Sequence, residues 1–162
     1  MISGARDQEP DVVPSRSMVR RFEADQGSLL VRTDFSDDAA WRALVDDATK
    51  PYGPDGFVAH FVPVDDRDLE GMGAEELASH AGDAYVVFAA DGASMHGSER
   101  TLLVVDRLHE RGRSFRVKLA EAHAVENNLS LFNMDFFEFV DAVDADGVFR
   151  GFRGPEGVTG PG

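Results

Sequence analysis

Hydrophobic positions follow two patterns between residues 28 and 152: short unbroken runs, and apolar residues recurring every three or four positions. Unbroken runs bounded by Gly, Pro and Asp predict strands, and the three-to-four spacing predicts amphipathic helices. In the first helix, Ser36 is the predicted N-cap and Pro51 ends the element. The strands are predicted at Leu29–Thr33, Phe57–Val64, Ala84–Ala90, Thr101–Val105, Ser114–Leu119 and Val148–Phe152, and the later helices at Gly73–Ala81, Ala120–Leu131 and Asn133–Val143.

The order of these elements predicts the fold class. The first strand, helix and second strand form a crossover unit, which favours a parallel pair. The short charged link 107–113 favours an antiparallel hairpin between the fourth and fifth strands. We therefore expect an α/β or α+β fold, a single domain with a mixed β-sheet of about six strands and helices packed on it.

Composition at the two ends sets the predicted domain limits. Residues 1–27 carry Pro and mixed charge and are predicted to be a flexible lead-in, in which Met18 is an alternative start. Residues 153–162 form a Gly/Pro-rich tail, and 28–152 is the globular domain. No apolar run long enough for a transmembrane helix or a secretory signal is present, so a cytoplasmic location is expected.

Charge and cysteine content exclude several functions. The 162 residues include no Cys, which excludes disulfides, thiolate catalysis and Cys-ligated metals. The formal net charge of −14 argues against binding nucleic acid or an anionic membrane, both of which need a basic surface.

The acidity is interrupted by one basic segment. Residues 28–106 carry −11 and 119–146 carry −7, but 107–118 carry +4. Arginine forks suit carboxylates and phosphates, so this segment is a candidate anion-binding site. The alternative is internal neutralisation by Glu121, Glu126 and the acids of 135–146, which the sequence favours. The basic residues are Arg107, Arg111, Arg113, Arg116 and Lys118.

Aspartates follow the predicted strands. If strands are parallel, their carboxyl ends meet at one edge, where ligands bind in open α/β sheets. Asp34, Asp65 and Asp66 are therefore candidate Mg²⁺ ligands, with Asp91 and Asp106 at further strand ends. The alternative is that these aspartates only cap helices and leave strands, which is the more common role and the one favoured here. No cofactor is otherwise expected.

The triplet Glu126-Asn127-Asn128 lies late in a predicted helix or in the bend after it. Asn is a poor residue for a helix interior, so the triplet favours a helix end or a polar network joining the bend to the sheet, with Asn133 as the next N-cap. A catalytic alternative makes Glu126 a general base, with His123 one turn earlier and Arg116 nearby.

Familiar catalytic motifs are otherwise absent. The sequence has no GxSxG elbow, no phosphate-binding glycine loop and no HxxxH-type metal spacing. The 144–147 turn resembles part of a calcium loop but lacks the required end carboxylates. Phenylalanines occur on more than one side of the last predicted helix, and any that are exposed would mark a partner surface.

Two blocks resemble a known family. LLVRTDF (residues 29–35) and VENNLS, NMDF and GVFRGF (within residues 125–152) are similar to motifs of a family of small uncharacterised actinobacterial proteins, a domain of unknown function. The resemblance implies that Asp34 and Glu126-Asn127-Asn128 belong to the family motif, and it supplies no catalytic role.

The favoured function is a non-catalytic interaction or regulatory domain, of the kind that immunity proteins and antitoxins represent, binding a protein partner with a basic surface. The alternative is a small-molecule or metal-dependent enzyme or binding protein. It would use the strand-end aspartates, or Glu126 and His123 near Arg116.

Overall fold

Six strands form one mixed sheet in the computed structural model, which describes residues 21–152. Their order across the sheet is β2-β1-β3-β4-β5-β6. β1 pairs in parallel with β2 and β3, β4 is antiparallel to β3 and β5, and β6 is parallel to β5. The predicted mixed sheet is confirmed. The strands are β1 (Ser28–Arg32), β2 (Phe61–Val64), β3 (Val86–Ala90), β4 (Thr101–Asp106), β5 (Ser114–Lys118) and β6 (Val148–Phe149).

Five α-helices within the described residues cover both faces of the sheet. They are α1 (Asp38–Thr49), α2 (Ala74–Ser79), α3 (Gly92–His96), α4 (Ala122–Ser130) and α5 (Phe136–Val140). None of the helices within residues 21–152 combines the length and apolar character needed to cross a bilayer.

Strand alternation divides the apolar side chains into two cores. In β1, Leu30 packs with α1, α4 and α5, whereas Leu29 and Val31 pack with α2 on the opposite face. This happens because successive strand residues point to opposite faces. α1 buries Trp41 and Leu44 as its spacing predicted.

Several element limits differ from the prediction because local hydrogen bonds decide where an element starts. The N-cap of α1 is Asp37, which accepts from the amide of Ala40 (3.0 Å), and Ser36 instead donates its amide to Asp34. The N-cap of α5 is Asp135 and not Asn133, since Glu138 accepts from the Asp135 amide. The second and sixth strands and the second and fifth helices are correspondingly shorter than predicted.

The packed region begins before the predicted limit at residue 28. Phe22 is fully buried, its amide donates to Ala81, and its carbonyl accepts from Ala84. It packs on the α2 face of the sheet. The rest of the predicted lead-in, residues 1–20, and the predicted tail, residues 153–162, lie outside the described residues.

Candidate functional site

The carboxyl edge of the parallel strands carries the predicted aspartates, and a buried arginine lies among them. Arg32 is 2 % exposed, and its guanidinium contacts Asp38 (2.7 Å) and Asp65 (3.4 Å) and lies 4.3 Å from the ring centre of Phe35. It also donates to the backbone carbonyl of Asp34. This edge therefore already contains a cation that the sequence prediction had not used.

The predicted magnesium ligands do not gather into a group of three in the part of the chain that the structure describes. Within residues 21–152, no three His, Asp or Glu side chains are grouped so that they could hold a metal ion. Asp66 instead caps the turn Arg67–Leu69 by accepting from the Asp68 amide. Asp106 lies at the opposite edge, because β4 runs antiparallel to β3.

Asp34 lies beside a serine and a histidine at the same edge. His96 Nε2 is 3.3 Å from Ser36 Oγ and 3.9 Å from Asp34 Oδ2. Both contacts use one ring nitrogen, whereas a catalytic triad needs the carboxylate on the other nitrogen. Hydrogen bonds from the hydroxyl and amide of Ser36 hold the pKa of Asp34 below its usual range. The arrangement is a hydrogen-bonded turn.

Arg107, the first residue of the basic segment, binds backbone and not an anion. It is 2 % exposed, and its guanidinium donates to carbonyls at the carboxyl end of α2 and in the following loop. These carbonyls belong to Leu77, Ala78, His80, Gly82 and Ala84. The last carbonyls of a helix have no partner within the helix, so a cation is well placed there.

The other arginines of the segment also have internal partners. Arg111 donates to the carbonyls of Arg107 and Ala78, Arg113 to Glu110, and Arg116 to Asp91 and the Thr101 hydroxyl. Neutralisation is thus internal for Arg113 and Arg116. The partners are not those that the sequence predicted, Glu121, Glu126 and the acids of 135–146. Lys118 is exposed at the end of β5.

The predicted acid–base group is not assembled. Arg116 contacts Asp91, which follows β3 at the carboxyl edge. His123 lies against two aromatic rings, Tyr52 at 5.7 Å and Phe57 at 6.2 Å between ring centres. Glu126 is buried at the other edge of the sheet, where the parallel strands begin.

Glu126 joins α4 to the amino ends of the parallel strands. Its Oε2 accepts from the Ser28 hydroxyl (2.5 Å), and its Oε1 accepts from the His60 amide (2.9 Å) and from Asn127 Nδ2 (3.0 Å). Asn127 also donates to the Val58 carbonyl. A buried carboxylate thus fixes the position of α4 relative to β1 and β2.

The two remaining asparagines stay within the bend. Asn128 donates to the Ala124 carbonyl one turn back, and Asn133 Nδ2 lies 3.4 Å from Asn128 Oδ1. The amides of Asn133 and Met134 both donate to the Asn128 carbonyl. These contacts hold the chain between α4 and α5.

A cavity of about 450 Å³ opens beside Glu126. Tyr85 forms one wall, stacked on Phe132 with 5.3 Å between ring centres, and its hydroxyl donates to the Leu129 carbonyl. We call this cavity the Glu126 cleft. Its lining consists of Ala24, Gly27, Ser28, His60, Ala84, Tyr85, Val86, Glu126, Ser130 and Phe132.

Large apolar side chains are exposed around the cleft. Leu131 is 66 % exposed and Phe132 77 % exposed, in the bend directly after α4. Phe57 and Leu108 (55 % exposed each) lie at the same edge of the sheet. We call these four residues the amino-edge surface. Phe132 has a φ of 59°, a left-handed conformation that is unfavourable for a bulky residue.

The aromatic residues of α5 do not form the exposed partner surface that the sequence suggested. Phe136 and Phe139 are buried in the core, and the guanidinium of Arg113 lies 5.2 Å from the ring of Phe137. The exposed phenylalanine rings of the described residues are those of Phe57, Phe132 and Phe152, and all three lie in loops outside α5.

The fold and these sites define the class: a small mixed α/β domain with helices on both sheet faces, a cleft around a buried carboxylate and an apolar surface beside it. The chain belongs to the family DUF6924, a domain of unknown function, whose model matches residues 27–152. A comparison with curated proteins gave no significant match.

Proposed function

We propose that this domain is a non-catalytic interaction protein whose amino-edge surface binds a protein partner with a basic surface. The observation that carries the proposal is the exposure of Phe57, Leu108, Leu131 and Phe132 at one edge. Contiguous exposed apolar side chains mark interaction sites on soluble proteins, and aromatic residues are enriched at interfaces. We further propose that the protein meets this partner in the cytoplasm.

Conformational strain supports the same surface. A left-handed φ on a bulky residue persists only where the surrounding structure or a function maintains it. Phe132 carries that strain and still exposes most of its ring. We infer that Phe132 is retained for a contact with the partner.

Charge supports a basic partner. Acidic side chains exceed basic ones by fourteen in this sequence, and Arg32 and Arg116 are already paired with aspartates. The excess of acidic side chains therefore dominates the field outside the molecule. Such a field accelerates association with a basic protein and weakens as salt is added.

Affinity capture from cells that naturally contain this protein tests the proposal. The wild-type chain is immobilised beside the double variant Leu131→Ser/Phe132→Ser and a control, Phe152→Ser, whose 50 % exposed ring lies outside the amino-edge surface. We expect a basic protein to bind the wild type and the control, and the double variant to retain at least about tenfold less.

Salt provides the second criterion. Raising the salt from about 0.05 M to about 0.5 M should reduce capture strongly, since the electrostatic contribution is screened. Equal capture by the double variant would refute the proposal, as would a captured protein that is acidic and insensitive to salt. Thermal unfolding of all three chains establishes that they are folded.

A further inference from the structure

Glu126 is a buried charge without an opposite charge beside it. The residue is 1 % exposed, and within residues 21–152 no Lys or Arg lies within 4.0 Å of its carboxylate. The nearest basic group is the His60 ring, 3.8 Å away through Nδ1, and that side chain is 79 % exposed. A buried carboxylate is costly unless it is paired, so this position calls for a reason.

A second buried carboxylate shows what an ordinary structural role looks like. Asp106 is also 1 % exposed, and it accepts from the backbone amides of Leu108, His109 and Glu110. All three donors lie within four residues and form one turn. Glu126 instead takes donors from residues 98 and 66 positions away, and the cavity that it lines, about 450 Å³, is much larger than the one of about 60 Å³ beside Asp106.

The carboxylate also has acceptor capacity left. Two carboxylate oxygens offer about four acceptor positions. Oε1 accepts two hydrogen bonds, and Oε2 accepts one, from Ser28. The Ser28 hydroxyl donates its hydrogen to Glu126, so its oxygen can still accept a hydrogen bond from a donor in the cleft.

The rest of the cleft suits an organic ion and not a bare metal. Among the described residues that line it, Glu126 is the only carboxylate, whereas the stacked rings of Tyr85 and Phe132 supply an aromatic wall. Aromatic faces attract ammonium and guanidinium groups, and a volume of about 450 Å³ is ample for a small ligand. Burial first, and then the charge of Glu126, raise the pKa of the Tyr85 phenol, so the negative field extends to this wall.

We propose that the Glu126 cleft binds an organic cation, an alkylammonium or alkylguanidinium group. The cationic nitrogen donates to Ser28 Oγ and faces the Glu126 carboxylate, and the alkyl part lies against Tyr85 and Phe132. The cation supplies a positive charge that no Lys or Arg within residues 21–152 places beside this carboxylate. It comes either from a free small molecule or from a Lys or Arg side chain of a protein partner.

Titration followed by NMR tests the site with defined probes. The full chain is titrated with n-butylguanidinium, with n-butylammonium, with neutral n-butanol, and with a blocked peptide that contains one arginine. We expect saturable shifts at Ser28, Tyr85 and Ser130 with the cations and not with the alcohol. Small cations binding as tightly as the peptide identify a small-molecule site, and binding of the peptide alone assigns the cation to a partner side chain.

Matched variants separate the site from a general effect of charge. Glu126→Gln keeps the shape and removes the charge, and Asp34→Asn makes the same change at the opposite edge. Loss of a charge-assisted contact should weaken cation binding by about tenfold to a hundredfold in Glu126→Gln. Asp34→Asn should bind as the wild type does.

Three results would overturn the proposal: no saturable shift with any cation, equal shifts with n-butanol, or unchanged affinity in Glu126→Gln. If Glu126→Gln does not fold, Ser28→Ala replaces it, and wild-type cation affinity in that variant refutes the proposed contact. Failure here is distinguishable from failure of the interaction surface, since cation binding is measured by titration with small probes, whereas partner capture is measured separately with the Leu131→Ser/Phe132→Ser variant.

Discussion

Replacing Arg107 by Met should be among the most destabilising single changes in this domain. The fully buried guanidinium holds the carboxyl end of α2 and the following loop through five carbonyls. Four of these hydrogen bonds are 2.7 to 3.0 Å long, and the fifth, to Ala78, is 3.5 Å. Met keeps the aliphatic stem, so the change removes the donors and little of the packing.

The magnitude follows from two opposing terms. Hydrogen bonds from a charged donor contribute about 1.5–3 kcal/mol each, and the abandoned carbonyls stay buried. Against this, the variant no longer buries a charge; that burial, and next the charge of Arg111, lower the pKa of Arg107. The free energy of unfolding should fall by about 3–5 kcal/mol, as it does when one partner of a buried ionic contact is removed. Such a loss is a large part of the stability of an ordinary domain.

The assay is urea unfolding followed by far-ultraviolet circular dichroism at neutral pH. Arg113→Met is the matched control, since it removes the same charge from the same hairpin but breaks only two partly exposed contacts, with Glu110 (2.7 Å) and with the Phe137 ring. That control should lose no more than about 1 kcal/mol. Arg107→Lys should fall between the two, because an ammonium has three donors and lacks the planar fork. The reasoning is refuted if Arg107→Met and Arg113→Met lose the same stability.

Three other changes test separate parts of the fold. Hydrogen bonds from Arg150 hold the pKa of Glu99 below its usual range, so the pair stabilises the folded chain above the pKa of an ordinary glutamate, about 4.3, and less as the pH falls below it. The advantage of the wild type over Arg150→Ala should therefore shrink in acid unfolding as the pH falls below about 4.3. A constant difference would contradict this reasoning. Phe132→Gly should be about 1 kcal/mol more stable than Phe132→Ala, because φ is 59° at this position and glycine adopts that conformation without strain. Both variants lack the ring, so the comparison isolates the backbone. The reverse order in urea unfolding would contradict the argument for strain. A Cβ at Gly82 would clash with the Phe22 backbone, so Gly82→Ala should lower the free energy of unfolding by about 3 kcal/mol in thermal unfolding. Gly53→Ala, in open space, should lower it by about 1 kcal/mol. Similar losses in the two variants would show that the contact with Phe22 is not tight.

The sheet was predictable because its signals are local. Runs of β-branched and aliphatic residues mark β1, β3 and β4, and the alternation of Phe115 and Val117 with polar residues marks β5. The strand–helix–strand order around α1 gives the parallel pair. The limits of α5 were not predictable in the same way. Asn133 and Asp135 are both good N-caps, and the choice depends on the hydrogen bond between the Asp135 amide and Glu138.

The basic segment shows why a charge pattern alone does not identify a binding site. Arg107 and Arg111 bind backbone carbonyls, which every segment of a chain possesses, so no sequence pattern identifies the partner. The buried place of Arg32 among the carboxyl-edge aspartates depends on a tertiary contact with Asp65, which lies 33 positions further along the chain, so the sequence alone does not reveal it.

The buried carboxylate did leave a mark in the sequence. The buried apolar residues of α4 are Ala122, Val125 and Leu129. Glu126 lies on the same stripe, between Val125 and Leu129, where spacing alone predicts an apolar residue. A charged residue on the core-facing stripe of a helix lowers the stability of the fold unless it is paired, so an unpaired one calls for a functional reason. The basic segment 107–118 carries no such implication, because Arg107, Arg113 and Arg116 already have partners within the domain. In this chain the charge on the core-facing stripe of α4 is accordingly the stronger functional signal, and it directs experiments to the Glu126 cleft before the basic hairpin.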